Sequence, residues 1–291
     1  MSGRLWLVAT PIGNLEDISL RALRVLREAE RVLAEDTRRS RTLLAHHNIE
    51  TPLASLHAHS SRDRVEGLAD ELAEGKHFAL VTDAGTPLVS DPGAALVQAA
   101  IARGVAVEAV PGASAVITAL CVSGLRTDQF RFVGFLPRSG RRRRESLGEI
   151  ARDRLASVMF EAPNRLLDTL RELSQVCGET RRAAVCRELT KLHEETARGS
   201  LAELVAHFTE QEPRGEITLV IEGHGVSAEE SDAAELDPEL EAAEALDIEA
   251  SIRERLARGL GAKEIARELA TLHGLDKREL YARVVALRGQ K

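Results

Sequence analysis

The sequence predicts an α/β fold built mainly on parallel strands, and three observations carry the prediction. Short apolar runs of strand length alternate with segments of helical spacing. Each apolar run stops at a turn rich in Gly, Pro, Asp or Ser. Strand follows helix in βαβ order, which requires a sheet covered on both faces. The chain has 291 residues. That length suggests two domains, or one large lobe with appendages, and leaves room for a sizeable core.

The elements run in order along the chain. Arg4 to Thr10 is a strand that ends at Pro11-Ile12-Gly13-Asn14. From Ser19, Leu20, Leu23, Leu26 and Ala29 recur on one helical face, with Arg and Glu opposite. Arg31 to Ala34 is a short strand ending in Glu35-Asp36-Thr37-Arg38. Ser60 to Glu74 is helical. Phe78 to Thr82 is a buried-type strand, and Asp83-Ala84-Gly85-Thr86-Pro87 comes directly after it. Gly93 to Arg103 is an Ala-rich helix and Val105 to Val110 a strand. Pro111-Gly112-Ala113-Ser114 then opens a helix over Ala115 to Ser123. In the second half, strands are expected at Phe130–Leu136, Ser157–Glu161, Arg182–Arg187 and Glu216–Glu222. Helices are expected at Arg165–Leu173 and Ser200–Phe208. Pro137 to Arg144 reads as a basic flexible loop. Three short helices close the chain, at Ser251–Arg258, Ala262–His273 and Lys277–Leu287. The expected division is 1–124, 125–223, an acidic linker 224–250, and a helical appendage 251–291.

Composition excludes several classes. Hydrophobic residues make up 44% and charged residues 29%, which is ordinary for a globular protein and not for a disordered or collagen-like one. Aromatics are only 3%, which argues against a nucleic-acid platform built from rows of Phe and Tyr. The net charge of −7 hides a segregation: ten acidic residues and no Lys or Arg fall within 224–250, while 251–291 carries ten Lys/Arg against five Asp/Glu. A mildly acidic balance therefore does not exclude a nucleic-acid partner. Cys121, Cys177 and Cys186 have no CxxC spacing and read as reduced thiols. No apolar run approaches the length of a membrane span, and the N-terminal apolar stretch is short for a secretory signal. A cytoplasmic protein with no membrane association is expected.

Four turns at strand ends form the first candidate site: Thr10–Asn14, Glu35–Arg38, Asp83–Gly93 and Pro111–Ala115. Glycine and proline punctuate every βα loop. Four such loops together, one flanked by Asp83 and Asp91, point further, because ligands of open parallel sheets bind beyond the strands' carboxyl ends. Gly85 and Gly112 would let backbone approach a ligand or take positive φ. Asp83 could accept hydrogen bonds from it, and Ser114 could cap a helix or donate to it. There is no GxxxxGK[ST] loop, no GxGxxG after the first strand and no GxSxG elbow. No metal-ligand spacing is present; His46, His47, His57 and His59 are placed in loops.

The runs VATPIGNLEDIS, AEDTRRS, VTDAGTPLVSDPG, VPGASA, FVGFLPR, FEAPNRLLDTL, CRELTKLHEE and GEITLVIEG occur in this order. Over residues 4–223 the chain thereby resembles the bacterial ribosomal small-subunit RNA cytidine 2′-O-methyltransferases of the tetrapyrrole methylase superfamily. The resemblance implies two α/β lobes, S-adenosylmethionine in the cleft between them, no metal, and a homodimer. It implies that Pro11, Asp83, Gly85, Thr86, Pro87, Ser114 and Ala115 line the methionine and ribose side of that cofactor, with Ala162 and Pro163 near the adenine. It implies a cytidine of 16S rRNA in the 30S subunit as substrate. The C-terminal segment resembles the small helical, helix-turn-helix-like appendage of this branch.

Chemistry at a ribose hydroxyl needs a proton acceptor or a cation for the developing alkoxide. The charged run Arg187–Glu195 comes after a strand and offers Glu188, Lys191 and His193. Lys191 and Glu188 are the catalytic candidates, and His193 is placed on the substrate side. Arg38 and Arg39 would hold RNA phosphate at the cleft mouth. Glu161 and Asn164-Arg165 could close over cofactor and substrate. Arg141 and Arg142, within the five Arg of 138–144, would dock the RNA backbone without reading sequence. Two competing readings are a tetrapyrrole methylase and a ligand-sensing regulator whose tail binds DNA.

Overall fold

The computed structural model describes residues 2–57, 59–88 and 93–225, and in the C-terminal segment 251–253, 255–256, 258, 260–273 and 277–288. Asp91 and most of the expected acidic linker, 226–250, lie outside the described residues. The chain divides into two compact units, Met1–Val226 and Ser227–Lys291.

The first unit contains two five-stranded sheets. The first is formed by β1 (Arg4–Val8), β2 (Arg31–Ala34), β3 (Leu53–Ser55), β4 (His77–Leu80) and β5 (Ala106–Val110), in the order β3-β2-β4-β1-β5. All its pairings are parallel. Between the strands run α1 (Leu20–Glu28), α2 (Thr37–His46), α3 (Arg62–Ala73) and α4 (Ala94–Ala102). Strand alternation sorts the core: Trp6 and Val8 pack with Val25 and Leu26 of α1, while Leu5 packs with Leu68 and Leu72 of α3 and Leu96 of α4. The chain leaves β1 towards β2 on one side and β4 towards β5 on the other. After β1 the chain runs to α1 on one face and after β4 to α4 on the other, so the two loops lie together at the strands' carboxyl ends, the switch point at which open sheets bind ligands. Sequence reading missed α2 and β3. His46, expected in a loop, is the last residue of α2, which the Asp36 side chain caps by accepting the Arg38 N–H.

The second sheet is formed by β6 (Phe130–Phe135), β7 (Ala156–Glu161), β8 (Arg182–Arg187), β9 (Glu195–Ser200) and β10 (Ile217–Ile221), in the order β6-β7-β10-β8-β9. Only β6 and β7 are parallel; the other three pairings are antiparallel. The parallel arrangement read from the first half therefore does not extend to this lobe. The charged run after β8 is the turn that brings the chain back as β9, a hairpin return rather than a helical crossover. Helices α6 (Gly140–Arg152), α7 (Pro163–Cys177) and α8 (Leu201–Glu210) cover one face. On the other face lies α5 (Ala115–Ser123), whose Val116, Ala119 and Leu120 pack on Val158, Ala184 and Val220. The last helix of the first lobe is thus buried on the second sheet and joins the two.

The basic stretch before residue 145 is also corrected. It is mostly helix, because Arg143, Leu147 and Ile150 recur at helical spacing and all three are buried. Arg143 donates to Glu172 at 2.7 Å, to the Pro137 carbonyl at 3.0 Å and to Thr169 Oγ1 at 2.9 Å.

The second unit has its own small core. Residues 251–253 and 255–256 are helical. Then come α9 (Ala262–His273) and α10 (Lys277–Arg288), and Ile252, Ile265, Leu269, Leu280 and Val284 pack together. Among the described residues no helix is long and apolar enough to cross a membrane.

Candidate functional site

Two loops meet at the crevice between β1 and β4. Thr10 and Gly85 exchange both backbone hydrogen bonds, at 2.9 and 3.0 Å. Gly85 sits at φ +79°, a conformation that disfavours any side chain. Gly112 does not share that conformation; it is needed for space, since a Cβ there would stand 3.0 Å from the Ala9 Cβ. The pinned loops, the start of α5 and the facing strands of the second sheet enclose a cleft of about 640 Å³. That is within the range of small-molecule and cofactor sites.

From the first lobe, the candidates Asp83, Gly85, Thr86, Ser114 and Ala115 line this cleft, with Ile12 and Arg39. From the second lobe come Ala162 and Pro163 with Glu161. Pro11 and Pro87 do not line it; both are buried behind the loops they shape. The Ser114 side chain caps α5, and the backbone of Ala115 and Val116 opens that helix at the cleft wall. Helix N-termini present unpaired N–H groups that suit an anionic ligand group.

The Asp36 carboxyl is held down to about 2, first by the Arg38 guanidinium and then by the Arg38 backbone N–H. Arg38 is turned onto Asp36 at 2.7 Å and does not line the cleft, whereas Arg39 does, 3.6 Å from Asp83. Glu161 is consumed by its own lobe. It accepts the Ala162 N–H at 2.9 Å and the Thr169 hydroxyl at 2.7 Å, and it pairs with Arg165 at 3.3 Å. Arg165 also donates to the Leu136 carbonyl at 3.0 Å. It braces the end of β6 and does not line the cleft.

Lys191 and Glu188 come together at one edge. Lys191 Nζ stands 2.8 Å from Glu188 and 3.0 Å from Glu216, and Glu188 also accepts the Glu216 N–H at 2.9 Å. Of this group only Glu216 lines the cleft, beside Leu189 and Gly215. The segment is tightly built. Glu188 and Thr190 take positive φ, and Asn14 donates its N–H to Thr190 Oγ1 at 3.1 Å. A Cβ at Gly13 would overlap the Lys191 side chain, and one at Gly215 would overlap the Glu188 carboxyl. Lysine and neighbouring N–H together depress Glu188. Burial works against the Lys191 charge, but hydrogen bonds to Glu188 and Glu216 outweigh it and the net direction is upward. The pair is thus an ammonium and a carboxylate locked to each other. His193 is exposed and outside the cleft. Arg141 is exposed and pairs with Glu145 at 2.6 Å; Arg142 is exposed on the same helix.

Sequence reasoning missed the cleft's aromatic wall. Phe132, Phe135 and Phe160 all line it, three of only six phenylalanines in the chain. Low overall aromatic content concealed this concentration. Cys186 also lines the cleft, and burial pushes its thiol up to about 11, which disfavours the thiolate. Among the described residues no cluster of three or more His, Cys, Asp and Glu could hold a metal ion.

A family model described as Tetrapyrrole (Corrin/Porphyrin) Methylases matches residues 4–205. The chain is 44% identical over 279 residues to a ribosomal RNA small subunit methyltransferase I of Halalkalibacterium halodurans, covering 96% of this chain and 93% of that protein. It is 42% identical to the protein of that name from Synechocystis sp., covering 96% of each. Among solved structures it is similar to a cobalamin biosynthetic enzyme, cobalt precorrin-4 methyltransferase, with a TM-score of 0.57 and 19% identity over 75% of this chain and 94% of that one. A uroporphyrin-III C-methyltransferase from Thermus thermophilus, complexed with S-adenosylhomocysteine, gives a TM-score of 0.53 and 22% identity over 76% and 97%. At these identities the structural likeness speaks for the fold alone.

Proposed function

The chain belongs to the tetrapyrrole methylase family, and from that premise we propose that it methylates small-subunit ribosomal RNA with S-adenosylmethionine as donor, at the 2′-hydroxyl of a cytidine in the decoding region of 16S rRNA. The observation that carries the reading is the near full-length match, at 44% identity, to a protein bearing that RNA methyltransferase name, on a chain whose own cleft suits the donor.

The fit rests on size and on the polar groups present. A cleft of about 640 Å³ accepts a ligand of this class. The Asp83 carboxylate can hold an ammonium or ribose hydroxyls, and the N-terminal N–H groups of α5 can hold a carboxylate. Gly85, Thr86 and Ser114 supply close backbone and hydroxyl contacts, and Ala162 with Pro163 supply an apolar surface for adenine. Pro11 and Pro87 shape the loops from behind. When bound, S-adenosylmethionine supplies a methyl group activated by its sulfonium.

The chain's own task is then to align the acceptor hydroxyl and manage its proton. A lysine held cationic and a carboxylate held ionised are both poor proton acceptors. In this reading Lys191, which stands at the cleft's edge behind Glu216, is the cation that reaches in to stabilise a developing alkoxide, with Glu188 positioning it. Arg39, Arg141 and Arg142 serve RNA phosphates, and His193 lies on the outer approach. Arg38 and Arg165 act through Asp36 and Glu161. The 30S subunit as substrate, a homodimer and a cytoplasmic location complete the reading. Incubation with radiolabelled S-adenosylmethionine and small subunits lacking the mark tests it. Nucleoside mass spectrometry should find 2′-O-methylcytidine; label in a base-methylated nucleoside, or none, overturns the reading.

A further inference from the structure

In a regular strand, Phe132 and Phe135 would point to opposite faces, being three residues apart. Here they do not. Phe132 pairs with Val158, Gly134 with Met159 and Phe135 with Phe160, so the register shifts between Phe132 and Gly134. One extra residue is accommodated, and Gly134 takes φ +71° to do it. Val133 then packs with the core under α6 and α7, while both phenylalanines face the cleft. Their ring centroids lie 5.1 and 5.4 Å from that of Phe160.

Phe132 and Phe160 are partly buried and support the outermost ring. Phe135 is 60% exposed and lies on β6, the edge strand of its sheet. A large apolar ring kept open to water on a strand bulged to aim it is unexplained by core packing. The segment just after this ring is the second observation. Arg143 and Arg165 clamp the carbonyls of Pro137 and Leu136, so the turn that leads from Phe135 to α6 is fixed. Arg138, Arg141, Arg142 and Arg144 are exposed on that turn and helix. An open aromatic face beside guanidinium groups is the chemistry that receives a single-stranded nucleotide: the base stacks and the phosphates are neutralised.

Resting on the ribosomal RNA reading above, we propose that Phe135 is the stacking seat for the base of the acceptor nucleotide, with Phe132 and Phe160 as its support. The base enters splayed from its neighbours. Its ribose is presented towards the Asp83–Ser114 side of the cleft.

The test compares Phe135→Ala, Phe135→Leu and Phe135→Trp with wild type. Methyl transfer is measured on small ribosomal subunits lacking the mark, and S-adenosylhomocysteine binding by calorimetry. The Ala and Leu variants should raise KM for the subunits about ten- to a hundredfold. Trp should stay near wild type, because it keeps an aromatic face. The S-adenosylhomocysteine Kd should stay within about twofold, which also shows that the variants fold. Three outcomes overturn the seat while wild-type transfer persists: Leu as active as Phe, a Kd that weakens in parallel with KM (the ring then serves the donor), or a changed sedimentation coefficient (the ring then serves a second copy). If wild type itself labels no ribosomal RNA, the underlying reading fails, and this one with it.

Discussion

One oxygen of the Asp83 carboxylate accepts the backbone N–H of Asp36 at 3.1 Å, while the other stands 3.6 Å from the Arg39 guanidinium. The side chain thus ties the loop after β4 to the start of α2 and still faces the cleft. Asp83→Ala should weaken S-adenosylhomocysteine binding by about tenfold or more, the scale of a hydrogen bond to a charged group. Asp83→Asn keeps an acceptor for the Asp36 N–H and should fall between. Calorimetry measures both; unchanged affinity in both variants removes Asp83 from the donor site.

Lys191 is held between Glu188 and Glu216. If it stabilises the alkoxide, Lys191→Met should lower kcat by about a hundred- to a thousandfold, as loss of one such donor does. S-adenosylhomocysteine binding should be unaffected. The pair also sets a pH dependence. Glu188 lies below its ordinary range, so its contribution to stability is full above the unfolded carboxylate pKa and is lost as pH falls through the folded one. Lys191 lies above its ordinary range, so its contribution is full below the unfolded lysine pKa and is lost as pH rises through the folded one. The stability gap between wild type and Glu188→Gln should therefore be flat near neutrality and shrink in acid, as read by urea melts across pH.

The first lobe was largely legible, for a physical reason. Fully covered parallel strands are short apolar runs, and their ligand loops carry glycines, prolines and an aspartate in sequence. Thus Asp83, Gly85 and Ser114 could be read as a candidate set from residue type, and they lie together on the cleft. The second lobe was less so. Nothing local separates the β8–β9 hairpin from a solvated charge run, because Glu195–Ser200 is polar and held by pairing with β8. Five arginines in 138–144 read as a loop, since the inward one, Arg143, has an apolar residue's role. The aromatic wall depends on a bulge, and period-two reasoning puts Phe135 on the wrong face. The one available signal was the glycine between two phenylalanines in FVGF.

Gly134 offers a test of that bulge. At φ +71° a β-carbon is strained, so Gly134→Ala should cost about 1–2 kcal/mol of stability. It should also raise KM for the RNA substrate by misaiming Phe135. Thermal melts and subunit kinetics read the two effects separately. A variant with wild-type stability and kinetics would mean that the bulge is indifferent.

Glu222 is buried at the end of β10, and one of its carboxyl oxygens has no hydrogen-bond partner. Desolvation raises its pKa, against the opposing pull of Arg182 and Arg181. A raised folded value means that the native state holds the proton longer than the unfolded chain. Stability is then lost as pH rises from the unfolded towards the folded pKa. Glu222→Gln, which is neutral throughout, should melt higher than wild type at pH 8 and no higher at pH 4. The opposite order would show that the two arginines outweigh burial.

The arginines of α6 divide into two kinds, and salt separates them. Arg143 is 6% exposed and satisfies Glu172, Thr169 and the Pro137 carbonyl. Arg143→Ala should cost about 2–3 kcal/mol of stability, because it leaves the buried Thr169 hydroxyl and the partly buried Pro137 carbonyl without their donor and empties a packed site. Arg142 and Arg144 are exposed. Their removal should leave the melting temperature within about 1 °C. It should instead weaken RNA binding and flatten its salt dependence, by close to one unit of log–log slope for each phosphate that is no longer neutralised. Binding titrations of small subunits at stepped KCl decide it. An unchanged slope in the Arg142→Ala, Arg144→Ala double variant would move the RNA path away from this helix, because a complex that neutralises fewer phosphates must release fewer counterions.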